Sequence, residues 1–146
     1  ELKFNQAFKS RKKKKISELL GGDVQKGIAK SAKTNTILLF TNSEELYSDY
    51  FYPAGTFQYC MYTGIGREGH QDSPDENSMY DLNMDVLTHR LTGRHLLVFE
   101  KRGTLYHFIG EYQLTETHQN VQPDQKQRLR RVFVFHLKKI SDVFAF

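Results

Sequence analysis

Phe57-Gln58-Tyr59-Cys60-Met61-Tyr62-Thr63-Gly64-Ile65-Gly66-Arg67-Glu68-Gly69-His70-Gln71 reads as a strand that runs directly into a glycine-punctuated loop. Aromatic and polar hydrogen-bonding groups gather at the lip of that loop. The layout suits one planar heterocycle: stacking needs flat aromatic faces, edge recognition needs fixed donors and acceptors, and close backbone approach needs residues without a side chain. The stretch therefore points to recognition before catalysis.

Short apolar runs lie on either side of it. Ile37 to Phe40 predicts a buried strand between Thr34-Asn35 and Thr41-Asn42-Ser43, and Leu82, Val86, Leu87 and Leu91 predict a short helix ending near Gly93. Leu96 to Glu100 and Leu105 to Tyr112 form a hairpin across Lys101-Arg102-Gly103-Thr104, and Val132 to Leu137 supplies a last strand. Thr115 to Gln127 is polar, contains Pro123 and shows no periodicity, so it reads as a long surface loop. Phe4, Phe8, Ile16, Leu19 and Leu20 share a stripe, which predicts a basic N-terminal helix over about 4–20 before Gly21-Gly22. Val143, Phe144 and Phe146 are placed to cap the core. Together these elements give an α+β fold, a small curved antiparallel sheet or partly open β-barrel over about 34–140 with flanking helices.

The chain has 146 residues, enough for one domain (1–146) with its own core. Its one cysteine, Cys60, has no internal disulfide partner, and no Cys/His spacing matches a structural zinc site. His89, His95, His107, His118 and His136 show no ligand spacing, so no metal and no cofactor is expected. No apolar run approaches the roughly 20 residues that span a bilayer, and no signal-peptide pattern opens the chain, so the expected location is the cytoplasm.

Charge is segregated. Within a formal net charge of +4, Lys9, Arg11, Lys12, Lys13, Lys14 and Lys15 cluster early, Asp72, Asp75, Glu76, Asp81 and Asp85 gather later, and Arg128, Arg130, Arg131, Lys138 and Lys139 flank the last strand. Such runs serve equally as solvated faces or as a cationic surface for a polyanion. Nucleic acid is the polyanion that fits best.

With those pieces in order, the chain resembles the SRA (SET and RING-associated) domains, and among them the diverged modules fused to modification-dependent restriction endonucleases. The resemblance runs from about Gly21 to Leu137. It is carried by Gly21-Gly22 with Gly27-Ile28, the strand Ile37 to Phe40, Tyr47 and Asp49, the run Tyr62-Thr63-Gly64-Ile65-Gly66, Leu96 to Glu100, Tyr106 with Gly110 and Tyr112, and Arg131 to Leu137.

That resemblance implies a PUA-like β-barrel that binds duplex DNA, turns one modified cytosine out of the stack and holds it without chemical change. A covalently fused or associated nuclease domain would do the cutting. It further implies a base pocket of Tyr47, Asp49, Tyr62, Thr63 and Gly64, with the tyrosines as stacking faces and Asp49 accepting from the exocyclic amine. Arg67, His70 and Gln71 would enter the groove at the vacated position. Lys12, Lys13, Lys14, Lys15, Arg128, Arg130 and Arg131 are the candidate phosphate contacts. The chain departs from the family pattern in Tyr106-His107-Phe108-Ile109-Gly110, where a Tyr-Asp-Gly tripeptide is expected, in His70 where an aspartate usually precedes the glutamine, and in the aromatic Tyr50-Phe51-Tyr52-Pro53-Ala54.

Plainer assignments compete. Tyr47, Tyr50, Tyr52, Tyr59 and Tyr62 each fit a barrel wall, Asp49 fits a turn, and Gly64 and Gly66 fit a bulge. Two alternative functions share the residues: a methyladenine- or RNA-reading PUA-like module, and a metal-dependent nuclease built on Pro74-Asp75 and Asp124-Gln125-Lys126. The nuclease pattern lies in polar, proline-containing stretches rather than on core strands, which disfavours it.

Overall fold

The computed structural model describes residues 1–9, 13–23, 27–42 and 49–146. Its strands are β1 (Leu2–Lys3), β2 (Ala7–Lys9), β3 (Ile28–Ser31), β4 (Thr36–Thr41), β5 (Tyr50–Tyr52), β6 (Tyr59–Thr63), β7 (His95–Arg102), β8 (Leu105–Pro123), β9 (Leu129–Ser141) and β10 (Val143–Phe144). Three helices accompany them: α1 (Lys14–Leu20), α2 (Tyr80–Leu87) and α3 (His89–Thr92). The main sheet runs β3-β4-β7-β8-β9-β6-β5, with β2 added to β8, and a small β1-β10 pair stands apart. Among the described residues β3 and β5 are its edges, so it is an open, curved sheet with helices on its flanks rather than a closed barrel.

The central strands are apolar throughout because both faces are covered. Alternate side chains divide between two cores: Ile37, Leu39, Leu96 and Val98 face one, while Leu38, Phe40, Leu97 and Phe99 face the other. Val86 of α2 closes the first, and Ile16 and Leu20 of α1 close the second. His89 fixes α3 to the sheet, with Nδ1 2.9 Å from Arg94 O and Nε2 accepting from Leu114 N at 3.1 Å. Cys60 is fully buried, and burial pushes its thiol well above the usual range.

Four expectations change. The sheet is mixed, because β4 and β7 pair in parallel, joined by a crossover that contains β5, β6, α2 and α3. β3 carries no strong strand signal of its own and exists as the antiparallel partner of β4. The helix expected over 4–20 begins only at Lys14; Ala7, Phe8 and Lys9 instead pair with His107, Tyr106 and Leu105. Phe4 and Phe8 are four apart, a spacing that suggests one face of a helix, but Phe4 lies in the turn between β1 and β2 and Phe8 is paired with Tyr106 of β8.

The loop expected over 115–127 is strand as far as Pro123, paired with β9 down to Pro123↔Leu129. β7 stops pairing at Tyr112, so the outer half of β8 is an edge, where polar residues guard against association. Asp124 turns the ribbon: its Oδ1 accepts from Lys126 N at 2.8 Å and Arg128 N at 2.9 Å. Those bonds hold its carboxyl below the usual range and give it a turn-forming role in place of the metal ligation that the nuclease reading requires.

Gly110 sits where β7 and β8 shift register, at φ +153°, and a Cβ there would lie 2.8 Å from both Lys139 Cε and Ser141 O. Gly110→Ala is expected to lower unfolding stability by about 1–3 kcal/mol in urea titration, because both the backbone and its neighbours must shift.

Candidate nucleic-acid interface

Beyond Thr63 the chain leaves β6 but stays buried, and its backbone polar groups need partners. Three carboxamides supply most of them. Gln71 donates through Nε2 to Gly64 O at 2.7 Å and accepts at Oε1 from Phe133 N at 2.9 Å. Asn83 of α2 accepts from Ile65 N and donates to Ile65 O, both at 2.8 Å, and Asn77 Nδ2 lies 3.0 Å from Ile65 O and 3.2 Å from Gln71 O. A Cβ on Gly64 would lie 2.7 Å from Gln71 Oε1, and one on Gly66 2.5 Å from Asn77 Oδ1. The glycines are thus required by the amide hub itself.

The loop that follows is tied to the β8–β9 ribbon. Arg130, 3% exposed, donates through Nη1 to Gly66 O at 2.6 Å and Gly69 O at 3.2 Å. Gln71 N donates to Arg131 O at 2.9 Å, and Arg131 N donates to His70 Nδ1 at 3.0 Å. Arg131 Nε meets Asp72 Oδ2 at 3.0 Å, which holds that carboxyl low, and Gln119 Nε2 donates to the same oxygen at 2.8 Å. Glu68 receives Lys126 at 3.3 Å and Arg128 at 3.7 Å, while Arg128 Nε also lies 3.4 Å from Asp124.

Several expected site residues therefore have other work. Gln71 is fully buried and cannot enter a groove; it is the hub's centre. Arg130 faces inward beneath the glycine loop and is removed from the phosphate contacts. Arg128 and Arg131 remain exposed, but each is paired with acids, pairs that are weak enough in water for phosphate to compete. His70 is half-buried, and Arg67 is exposed on the loop. Lys14 and Lys15 stand 3.9 and 3.8 Å from Glu18, and Lys13 Nζ lies 4.1 Å over the Phe40 ring. Lys12 and Tyr47 fall outside the described residues.

On the other side of β6, Asp49 follows directly on residues 43–48. Its Oδ1 accepts from Thr63 N at 2.8 Å. Burial raises its carboxyl from 3.8 to about 6, opposed by the Thr63 N–H and the Thr41 hydroxyl. A carboxylate has about four acceptor sites, so the two donors among the described residues leave it capacity for another. Thr63 is 4% exposed, and Tyr62 is 2% exposed with its hydroxyl 3.0 Å from Gly27 O and 2.9 Å from Phe40 O. In this arrangement the Tyr62 ring belongs to the core and offers no open stacking face. Open tyrosine surface lies instead on Tyr50, which is 52% exposed, next to the stacked pair Tyr52 and Tyr59.

Asn77 and Asn83 had no place in the sequence reading, and Asp72 entered it only as one of the acidic group. Asn83 had a signal, because it shares a helical stripe with Met79 and Val86, where a polar residue needs a buried partner.

A family model described as "ScoMcrA-like, SRA domain" matches residues 6–145. No curated protein matches the chain. Among solved structures, the sulfur-binding and SRA domains of ScoMcrA complexed with phosphorothioated DNA align with a TM-score of 0.72 at 22% identity, over 94% of this chain and 40% of that one. The chain spans 28% of a longer ScoMcrA structure, described as a Type IV phosphorothioation-dependent restriction endonuclease. The DNA modification-dependent restriction endonuclease AspBHI aligns at 0.72 with 15% identity, over 98% of this chain and 78% of that one. A complex of the SUVH5 SRA domain with methylated CHH DNA aligns at 0.66 with 16% identity, over 99% and 94%. At these identities the likeness establishes the fold. None of the helices among the described residues is long and apolar enough to cross a membrane.

Two outcomes test the site's construction. Gln71→Ala leaves Gly64 O and Phe133 N buried and unpaired, and is expected to lower stability by roughly 2–4 kcal/mol in denaturant titration. Because Asp49 binds its proton more tightly when folded, stability falls as pH rises from about 4 to about 6, and the loss is complete above that window. Asp49→Asn is therefore expected to be more stable than the parent at about pH 7.5, by on the order of 1–2 kcal/mol, with the gap closing at about pH 4.

Proposed function

Because this chain belongs to the ScoMcrA-like SRA domain family, we propose that it is a non-catalytic reader of modified duplex DNA that everts one modified cytosine, methyl- or hydroxymethylcytosine, and holds it beside Asp49. In this reading 1–146 is a single recognition domain, and it directs a nuclease domain of a modification-dependent restriction system. The ScoMcrA and AspBHI likenesses, both to restriction endonucleases, support that setting.

The observation that carries the reading is Asp49. A carboxyl desolvated enough to rise to about 6, yet held by the Thr63 N–H at 2.8 Å, is expensive to keep in a fold unless it has a ligand to meet. Above about pH 6 it is an acceptor, suited to the N4 amine of cytosine and opposed to the O4 acceptor of thymine. Eversion costs a few kcal/mol of stacking and pairing, which stacking of roughly 1–3 kcal/mol per face and edge bonds must return. A single methyl adds only about 1 kcal/mol, so selectivity for it needs a close-fitting slot. Tyr47 is the stacking candidate that remains, and Arg67 and His70 are the groove candidates. Lys13, Lys14 and Lys15, with Arg128 and Arg131 once released from their acids, are the phosphate contacts.

Matched duplexes carrying cytosine, methylcytosine, hydroxymethylcytosine, methyladenine or a phosphorothioate link, with an equivalent RNA, test this at two salt concentrations. One modified-cytosine duplex is expected to bind at least about tenfold more tightly than its unmodified match. Asp49→Ala should erase that preference and leave salt-sensitive binding, whereas Lys14→Glu with Lys15→Glu should weaken every duplex alike. Equal binding of all duplexes by the parent chain would refute base reading, and preference for methyladenine or RNA would transfer the site to another ligand.

A further inference from the structure

The outward face of the β8–β9 ribbon carries a cluster that base reading does not use. Glu116 and His118 are two apart on β8 and so project from one face. The register shift between Leu114 and Glu116 places Glu116, rather than Thr115, opposite His136 on β9, and His118 opposite Val134. His118 Nε2 lies 3.7 Å from Glu116 Oε1. The His118 and His136 rings meet edge to face with centroids 4.1 Å apart. One ligand atom from each of the three residues falls within 4.8 Å of the others.

A second observation points to a ligand. His136 Nε2 is buried and has no hydrogen-bond partner among the described residues. A buried imidazole nitrogen without a partner is unfavourable. A cation beside the carboxylate would satisfy it.

We propose that Glu116, His118 and His136 form a divalent transition-metal site, two imidazoles and one carboxylate, suited above all to Zn²⁺. Imidazole and carboxylate are both good zinc donors, at about 2.0–2.2 Å, which sets tetrahedral donors about 3.3 Å apart. The present separations exceed that by less than 2 Å. His118 and Glu116, with side chains 47% and 62% exposed, can turn to close the gap around His136. Three protein donors leave a fourth position for water or a further oxygen ligand. The ion would staple β8 to β9 on the outward face, beyond the point where β7 stops pairing with β8. Sequence spacing hid the site, because its ligands meet only through the β8–β9 register.

The test is calorimetric titration of Zn²⁺ into the untagged, chelator-treated full chain, with Co²⁺ as the spectroscopic probe. One equivalent is expected to bind with Kd in the micromolar range or tighter, to give a visible Co²⁺ band, and to raise Tm by several degrees. His118→Ala, an exposed position that should fold normally, is expected to weaken binding at least about tenfold and abolish the band and the Tm rise. Glu116→Gln should weaken it less, and His107→Ala should leave it unchanged. Absence of saturable binding below about 1 mM, or parent-like binding by His118→Ala, would overturn the proposal.

Discussion

Backbone that is buried without a strand partner must find its hydrogen bonds elsewhere, and past the Gly64 N–H, which still donates to Phe133 O of β9, residues 64–66 are such backbone. Gln71, Asn77 and Asn83 answer it from three places at once: the loop, the turn before α2, and α2 itself. Every other feature of the region follows. The glycines are needed because the amides stand where side chains would be. Gln71 also reaches Phe133 N, so the hub joins the loop to β9, and Arg130 repeats the join from below. A half-satisfied network of this kind would be worse than an apolar core, which is why its members act together.

The consequence for function is a division of labour across β6. On one side the loop is held rigid by amides and by Arg131–Asp72, so its exposed residues, Arg67 foremost, are presented from a fixed base. On the other, Asp49 sits in an environment that disfavours its own charge. In the proposed reading, the stability given up at that carboxyl is what keeps it ready for a ligand. The basic groups are less committed than their sequence clustering implied, since Arg128 and Arg131 already have acidic partners.

Much of the frame was legible in the sequence. β4, β6 and the β7–β8 hairpin announce themselves as apolar runs between turn residues, and α3, which follows directly on α2, ends at Gly93 in the left-handed conformation expected of a helix stop. The errors share one cause: composition reports burial before it reports pairing. The outer half of β8 is strand but exposed, so it looked like loop; Ala7–Lys9 takes its structure from β8, so Phe8 looked helical. Parallel pairing of β4 with β7 depends on a crossover that no local pattern encodes. Of the candidate site, the strand running into Gly64 was readable and Asp49 was singled out only through the resemblance, whereas Gln71, assigned there to the groove, carries no local sign of its burial. Arg130 could have been read as inward, because it shares strand phase with buried Val132.

The central claim is that one base leaves the helix when this chain binds. A duplex with a fluorescent adenine analogue stacked beside the modified cytosine reports it directly, since loss of the neighbour unquenches the probe. Emission should rise on saturation with the protein, and should rise far less for the unmodified duplex at equal occupancy. Saturated binding, confirmed by anisotropy, with no change in emission would contradict the account.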